Sequence, residues 1–218
     1  MDRKGHALGD NPLSEDYARA NLIIPDDIFW TCPTCRRVHR CGEFERVIEW
    51  PVGKYDTGSD VIGDLTWHGA ANEVLVSDRV RAMLQDRTAS LEFRAIGMWQ
   101  DPKVKKPKHP RNTTKRRVWL PYAGPPIWEL QVKSICRLNW KAMNLSIKSQ
   151  CSECHNVVYH ISDKQLIIDE ATWDGAPIFR IDESDMIFVI DELLSGFQKN
   201  GFTNYRVRRT ALISDSNA

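Results

Sequence analysis

Asp185-Met186-Ile187-Phe188-Val189-Ile190-Asp191-Glu192-Leu193-Leu194-Ser195-Gly196-Phe197 reads as a buried strand running directly into a helix. Met186 to Ile190 has the length and β-branched content of a strand covered on both faces. Leu193 and Phe197 are four apart, on one helical face, and Asp191 stands at the N-cap. Laid over it at constant offset is a first-half stretch, Asn72-Glu73-Val74-Leu75-Val76-Ser77-Asp78-Arg79-Val80-Arg81-Ala82-Met83-Leu84. Val74 to Val76 supplies the strand, Ser77 the cap, and Val80/Leu84 the helical face.

Working outward, each unit has a short strand before it, Asp64-Leu65-Thr66-Trp67 and Pro177-Ile178-Phe179-Arg180. Each also has an alternating stretch after it, Leu91, Phe93, Ala95 and Tyr205, Val207, with Gly201 as the second helix's C-cap. Upstream of each lies a Cys-x-x-Cys, Cys32/Cys35 and Cys151/Cys154. A strand and a helix match by chance fairly often, but a matching knuckle as well argues for an internal repeat. The expected fold is α+β: two similar strand-helix-strand subdomains, each preceded by a knuckle, with mostly antiparallel sheets. A pseudo-two-fold arrangement is compatible with it. The expected boundaries are an N-terminal segment 1–27, a first repeat 28–101, a linker 102–118, a second repeat 119–210 and a tail 211–218. The expected core includes Val74, Val76, Val80, Leu84, Phe93, Ile187, Val189, Leu193 and Phe197.

Composition is that of a soluble globular protein, 42% hydrophobic and 27% charged. Residues 1–20 carry charges and no apolar signal-peptide core, and no apolar run approaches the roughly 18 residues of a membrane span. The expectation is a cytoplasmic protein, and six cysteines in a reducing compartment argue for metal ligation over disulfides. Net charge is +1, so whole-molecule attraction to nucleic acid is not predicted. Charge is nevertheless uneven. Lys103, Lys105, Lys106, Lys108, Arg111, Lys115, Arg116 and Arg117 share a segment with Pro102, Pro107 and Pro110, flanked by Trp99 and Trp119. It reads first as a solvated linker and hinge, and alternatively as a phosphate-binding or acidic-partner arm. The second half is acidic, with Asp169, Glu170, Asp174, Asp182, Glu183, Asp185, Asp191 and Glu192 within a short span.

Two residues between cysteines let a tight turn aim both sulfurs at one point, and two such knuckles complete a tetrahedral shell. The candidate metal ligands are therefore Cys32, Cys35, Cys151 and Cys154, with structural zinc as the default ion and iron as a chemically acceptable one. A shared site would clasp two distant halves, since loop-closure entropy grows slowly with separation. The competing readings are vestigial knuckles, or separate sites completed by His39 and Cys41 on one side and His155 or His160 on the other. Cys136, in the strand-like run Ile127 to Leu138, reads as a small buried hydrophobe, and His68 before Gly69 as a turn residue. The sequence has no nucleophile elbow, phosphate-binding glycine loop or metalloprotease helix motif, and the expectation is a non-enzyme.

Cys32-Pro33-Thr34-Cys35, Trp128-Glu129-Leu130-Gln131-Val132, Cys151-Ser152-Glu153-Cys154 and Ile178-Phe179-Arg180 together resemble the bacterial double-CXXCG-motif proteins. The resemblance covers roughly residues 28–210. It implies an immunity protein that binds and neutralises a cognate toxin, with zinc serving structure only. The family carries glycine after each second cysteine, whereas this chain has Arg36 and His155. The alternative function is a zinc-ribbon nucleic-acid-binding module using residues 103–117.

Overall fold

The computed structural model describes residues 3–9, 16–23, 29–40, 46–50, 58–67, 74–109, 111, 116–160, 165–184 and 186–214. In chain order its first strands are β1 (Arg3–Gly9), β2 (Asn21–Ile23), β3 (Phe29–Thr31), β4 (Val38–Arg40), β5 (Val47–Glu49), β6 (Leu65–Trp67) and β7 (Val74–Ser77). Helix α1 (Asp78–Gln85) leads to β8 (Leu91–Ala95), β9 (Gly97–Trp99), β10 (Ile127–Val132) and β11 (Ile135–Cys136). Then come β12 (Ser146–Gln150), β13 (Val157–His160), β14 (Leu166–Asp169), β15 (Ile178–Ile181), β16 (Ile187–Ile190), α2 (Asp191–Lys199) and β17 (Arg206–Ser214).

The expected α+β fold of two strand-helix-strand subdomains is overturned. Among the described residues the protein is mostly β, 41% strand against 12% helix, with two α-helices and a sheet curled into a nearly closed barrel. That sheet runs β11-β15-β16-β1-β17-β14. Its two edges meet: Leu138, just past β11, bridges Ile168 on β14. The Asn139 and Asp169 amides donate across the seam to Ile167 and Arg137 carbonyls at 2.8 and 2.9 Å. Closure satisfies backbone groups that an open edge would leave bare. A four-stranded sheet runs β6-β7-β10-β8, and a three-stranded one β2-β5-β9.

The subdomain reading fails because strands cross between the halves. The N-terminal β1 lies between β16 and β17, antiparallel to both. Second-half β10 lies between β7 and β8, again antiparallel to both. Each sheet therefore borrows an inner strand from the other half. The borrowed strands meet the helices alike: Trp128 Nε1 donates to Asp78 Oδ1 at 3.0 Å, and His6 Nε2 lies 2.6 Å from Asp191 Oδ1.

The uninterrupted apolar character of β7 and β16 follows from their double burial. Val74, Val76, Ile187 and Val189 point into a central core shared by both halves, which also takes Leu8, Leu130, Val80, Leu84, Leu193 and Phe197. The alternate residues turn the other way. Phe188 packs with Ala7, Phe179, Ile168 and Ile213 inside the barrel, and Leu75 packs with Ile48, Trp50 and Ile127 on the first-half side. Phe93, expected in the core, is half-buried at its margin. Ser77 caps α1, its hydroxyl accepting from the Val80 amide at 3.4 Å. In α2 the cap position falls on Ile190 with no side-chain bond, and Asp191 is the first helical residue, where its carboxylate still complements the helix dipole. Asn72, Glu73 and Asp185 lie outside the described residues.

Candidate metal centre

The knuckles are the loops of two hairpins, β3–β4 and β12–β13, with Thr31 opposite Val38 and Gln150 opposite Val157 at their closing pairs. Their backbones match. The Cys32 amide donates to the Arg37 carbonyl at 2.9 Å and the Arg36 amide to the Cys32 carbonyl at 2.9 Å. In the second loop the Cys151 amide donates to Asn156 at 2.9 Å and the His155 amide to Cys151 at 3.0 Å. This turn needs a left-handed residue after the second cysteine, and Arg36 and His155 occupy it at φ 62° and 56°. Non-glycine residues there carry a strain of about 1–2 kcal/mol each. Both knuckles thus hold a left-handed position despite the side chains of Arg36 and His155.

The hairpin tips face one another across the molecule. Cys32 Sγ lies 3.7 Å from Cys151 Sγ, and Cys35 Sγ 3.5 Å from Cys154 Sγ, each across 119 residues of sequence. All four sulfurs lie within 4.8 Å of one another. A tetrahedral thiolate shell with metal–sulfur bonds of about 2.3 Å has sulfur–sulfur edges of about 3.8 Å, so the spacing fits one ion. Cys32 and Cys151 are buried, Cys154 is half-buried and Cys35 is exposed, which puts the centre under the hairpin tips with one side toward solvent. A further bridge joins the tips, Thr34 Oγ1 donating to Glu153 Oε2 at 2.6 Å.

The electrostatics favour a cation. The amides of Cys154 and then Glu153 hold the Cys151 thiol down to about 6. Burial first, and neighbouring sulfurs after it, push Cys154 up to about 12. The opposite shifts of Cys151 and Cys154 favour one thiolate in the pair over two, and a divalent ion beside them removes that resistance. The arrangement is a possible four-cysteine metal site. It brings together all four predicted ligands from the two knuckles in one cluster, and neither His155 nor His160 joins it. Cys41 lies outside the described residues, as does His68, and the His39 side chain is not described.

Cys136 stands apart on β11, 1% exposed, donating to the Arg180 carbonyl at 3.4 Å. Burial and the Glu183 carboxylate push its thiol up to about 12, so it stays a protonated core residue. Sequence reasoning missed Thr34 and Glu153. Their shared placement as the third residue of each knuckle was the signal that could have found them. No helix among the described residues is long and apolar enough to cross a membrane. Comparison with protein-family models and with curated proteins found no match to this chain.

Proposed function

We propose that the protein is a non-enzymatic, zinc-clasped immunity-type protein of the bacterial cytoplasm that binds and neutralises a cognate toxin. The observation that carries the zinc is the convergence of Cys32, Cys35, Cys151 and Cys154 on one tetrahedral-sized site. A closed thiolate shell leaves no open position for substrate, so zinc there serves structure. The motifs shared with double-CXXCG proteins support the immunity role.

Internal duplication is part of the same reading. Matching knuckle hairpins, matching strand-into-helix units and reciprocal insertion of β1 and β10 support one ancestral unit present twice. Zinc then fastens two copies already interlocked by strand exchange.

The second half offers the toxin an acidic surface. Asp182, Glu183, Asp169 and Asp174 contact the segment from Ser134 to Trp140, where Ile135 and Trp140 are 48% and 39% exposed. Such a face suits a basic partner, because complementary charge raises encounter rate and selectivity. The test is co-expression with the toxin encoded beside this reading frame. Rescue of growth and a co-purified complex would support the role; a toxin neither bound nor neutralised would refute it.

A further inference from the structure

The basic segment is unused by the metal site and by the acidic surface, and its root is built. Gln100 reaches both ends of it: Oε1 accepts from the Leu120 amide at 2.9 Å, and Nε2 donates to the Val104 carbonyl at 3.5 Å. Asp101 Oδ1 accepts from the Lys103 amide at 2.8 Å, and the Asp101 carbonyl from the Val104 amide at 2.9 Å. Gln100 therefore ties the described stretch 100–104 to 116–120, and Val118 is buried in the first-half core.

What the loop presents is positive. Lys103, Lys105, Lys106, Lys108, Arg111 and Arg116 are exposed. The four lysines have no ion-pair partner among the described residues, and Arg116 reaches Asp60 only at 4.0 Å. Asp101, the segment's one carboxylate, is already engaged by the turn. Aromatic rings sit at the root. Trp99, next to Gln100, is 43% exposed, and the Arg117 guanidinium lies 5.4 Å from the Trp119 ring centroid.

Unpaired cations in series beside an exposed indole match the needs of one ligand class. Phosphates of a single strand neutralise the lysines, and an unstacked base covers the ring. An acidic protein would satisfy the charges but has no use for the ring face, and a duplex keeps its bases stacked inside. We propose that Lys103, Lys105, Lys106 and Lys108, with Trp99 beside them at Gln100, bind single-stranded nucleic acid. This site is independent of the toxin reading.

The experiment is fluorescence anisotropy of a labelled 20-nucleotide oligo-dT with the full chain between 25 and 200 mM salt, conditions chosen because phosphate contacts are salt-sensitive. The variants are K103Q/K105Q/K106Q/K108Q and Trp99→Ala. All five positions are exposed, and unchanged metal content and circular dichroism would show that both variants fold. Affinity should fall with salt at a log–log slope of about −0.7 per phosphate contact. The quadruple variant should lose at least about tenfold and flatten that slope by up to about 3. Trp99→Ala should lose about fivefold or more with the slope kept, as expected for a lost stacking contact. Absence of binding at 25 mM salt would overturn the proposal. So would poly-glutamate or duplex competing as well as the oligonucleotide while Trp99→Ala binds like the parent.

Discussion

Arg46 Nε donates to Glu129 Oε1 at 2.7 Å, and both side chains are 3% exposed. Arg46 immediately precedes β5, and Glu129 is on β10, so the pair joins the three-stranded first-half sheet to the strand borrowed from the second half. Removing Arg46 leaves the buried Glu129 carboxylate without its cation. Arg46→Ala should cost about 3–5 kcal/mol in urea unfolding, and replacing both residues by apolar ones of similar volume should recover most of it. A loss under about 1 kcal/mol would mean that the pair is solvated.

Leu193 is fully buried in the central core beside Val80, Leu84 and Phe197. Leu193→Ala should cost about 2–5 kcal/mol by chemical denaturation. Because that core draws on both halves, loss should appear as one transition for the whole chain. Two transitions would contradict strand exchange as the source of cohesion.

Arg36 and His155 hold the left-handed position of each knuckle at φ 62° and 56°. Replacing either by glycine relieves the Cβ strain and adds unfolded-state freedom, two opposing effects of about 1 kcal/mol or less in sum. The expected net is a small gain in zinc affinity, up to about fivefold per site in a chelator competition. A large loss would show that the Arg36 or His155 side chain itself supports the centre.

The metal-free protein should have a pH optimum set by its thiols. Cys151, held down to about 6, contributes stability that is full above the unfolded thiol range and is lost as pH falls through about 6. Cys154 and Cys136, pushed up to about 12, contribute stability that is full below that range and is lost as pH rises toward 12. Denaturation midpoints in chelator should therefore climb from pH 6 toward about 9 and decline beyond it. With zinc bound, acidification should instead release the ion as protons compete for the sulfurs.

Local elements were legible in the sequence and the architecture was not. Val74 to Ser77 and Ile187 to Ile190 show themselves through apolar runs, and the helices after them through four-residue spacing. Those signals arise from contacts every strand or helix makes with its nearest layer. Nothing in Arg3 to Gly9 says that it lies between β16 and β17, because a strand's partner is chosen by long-range pairing that leaves no local period. Barrel closure at Leu138 and Ile168 is invisible for the same reason. The four clustered cysteines were legible because Cys-x-x-Cys has a chemical purpose at any separation, whereas the Thr34–Glu153 contact depends on how the tips meet.

The convergence of the two knuckles is tested most directly by elemental analysis of tag-free protein beside the Cys32→Ser/Cys151→Ser variant. The account predicts one zinc per chain in the parent, and in the variant loss of that zinc with a lowered unfolding midpoint. A parent without metal, and a variant equally stable, would contradict it.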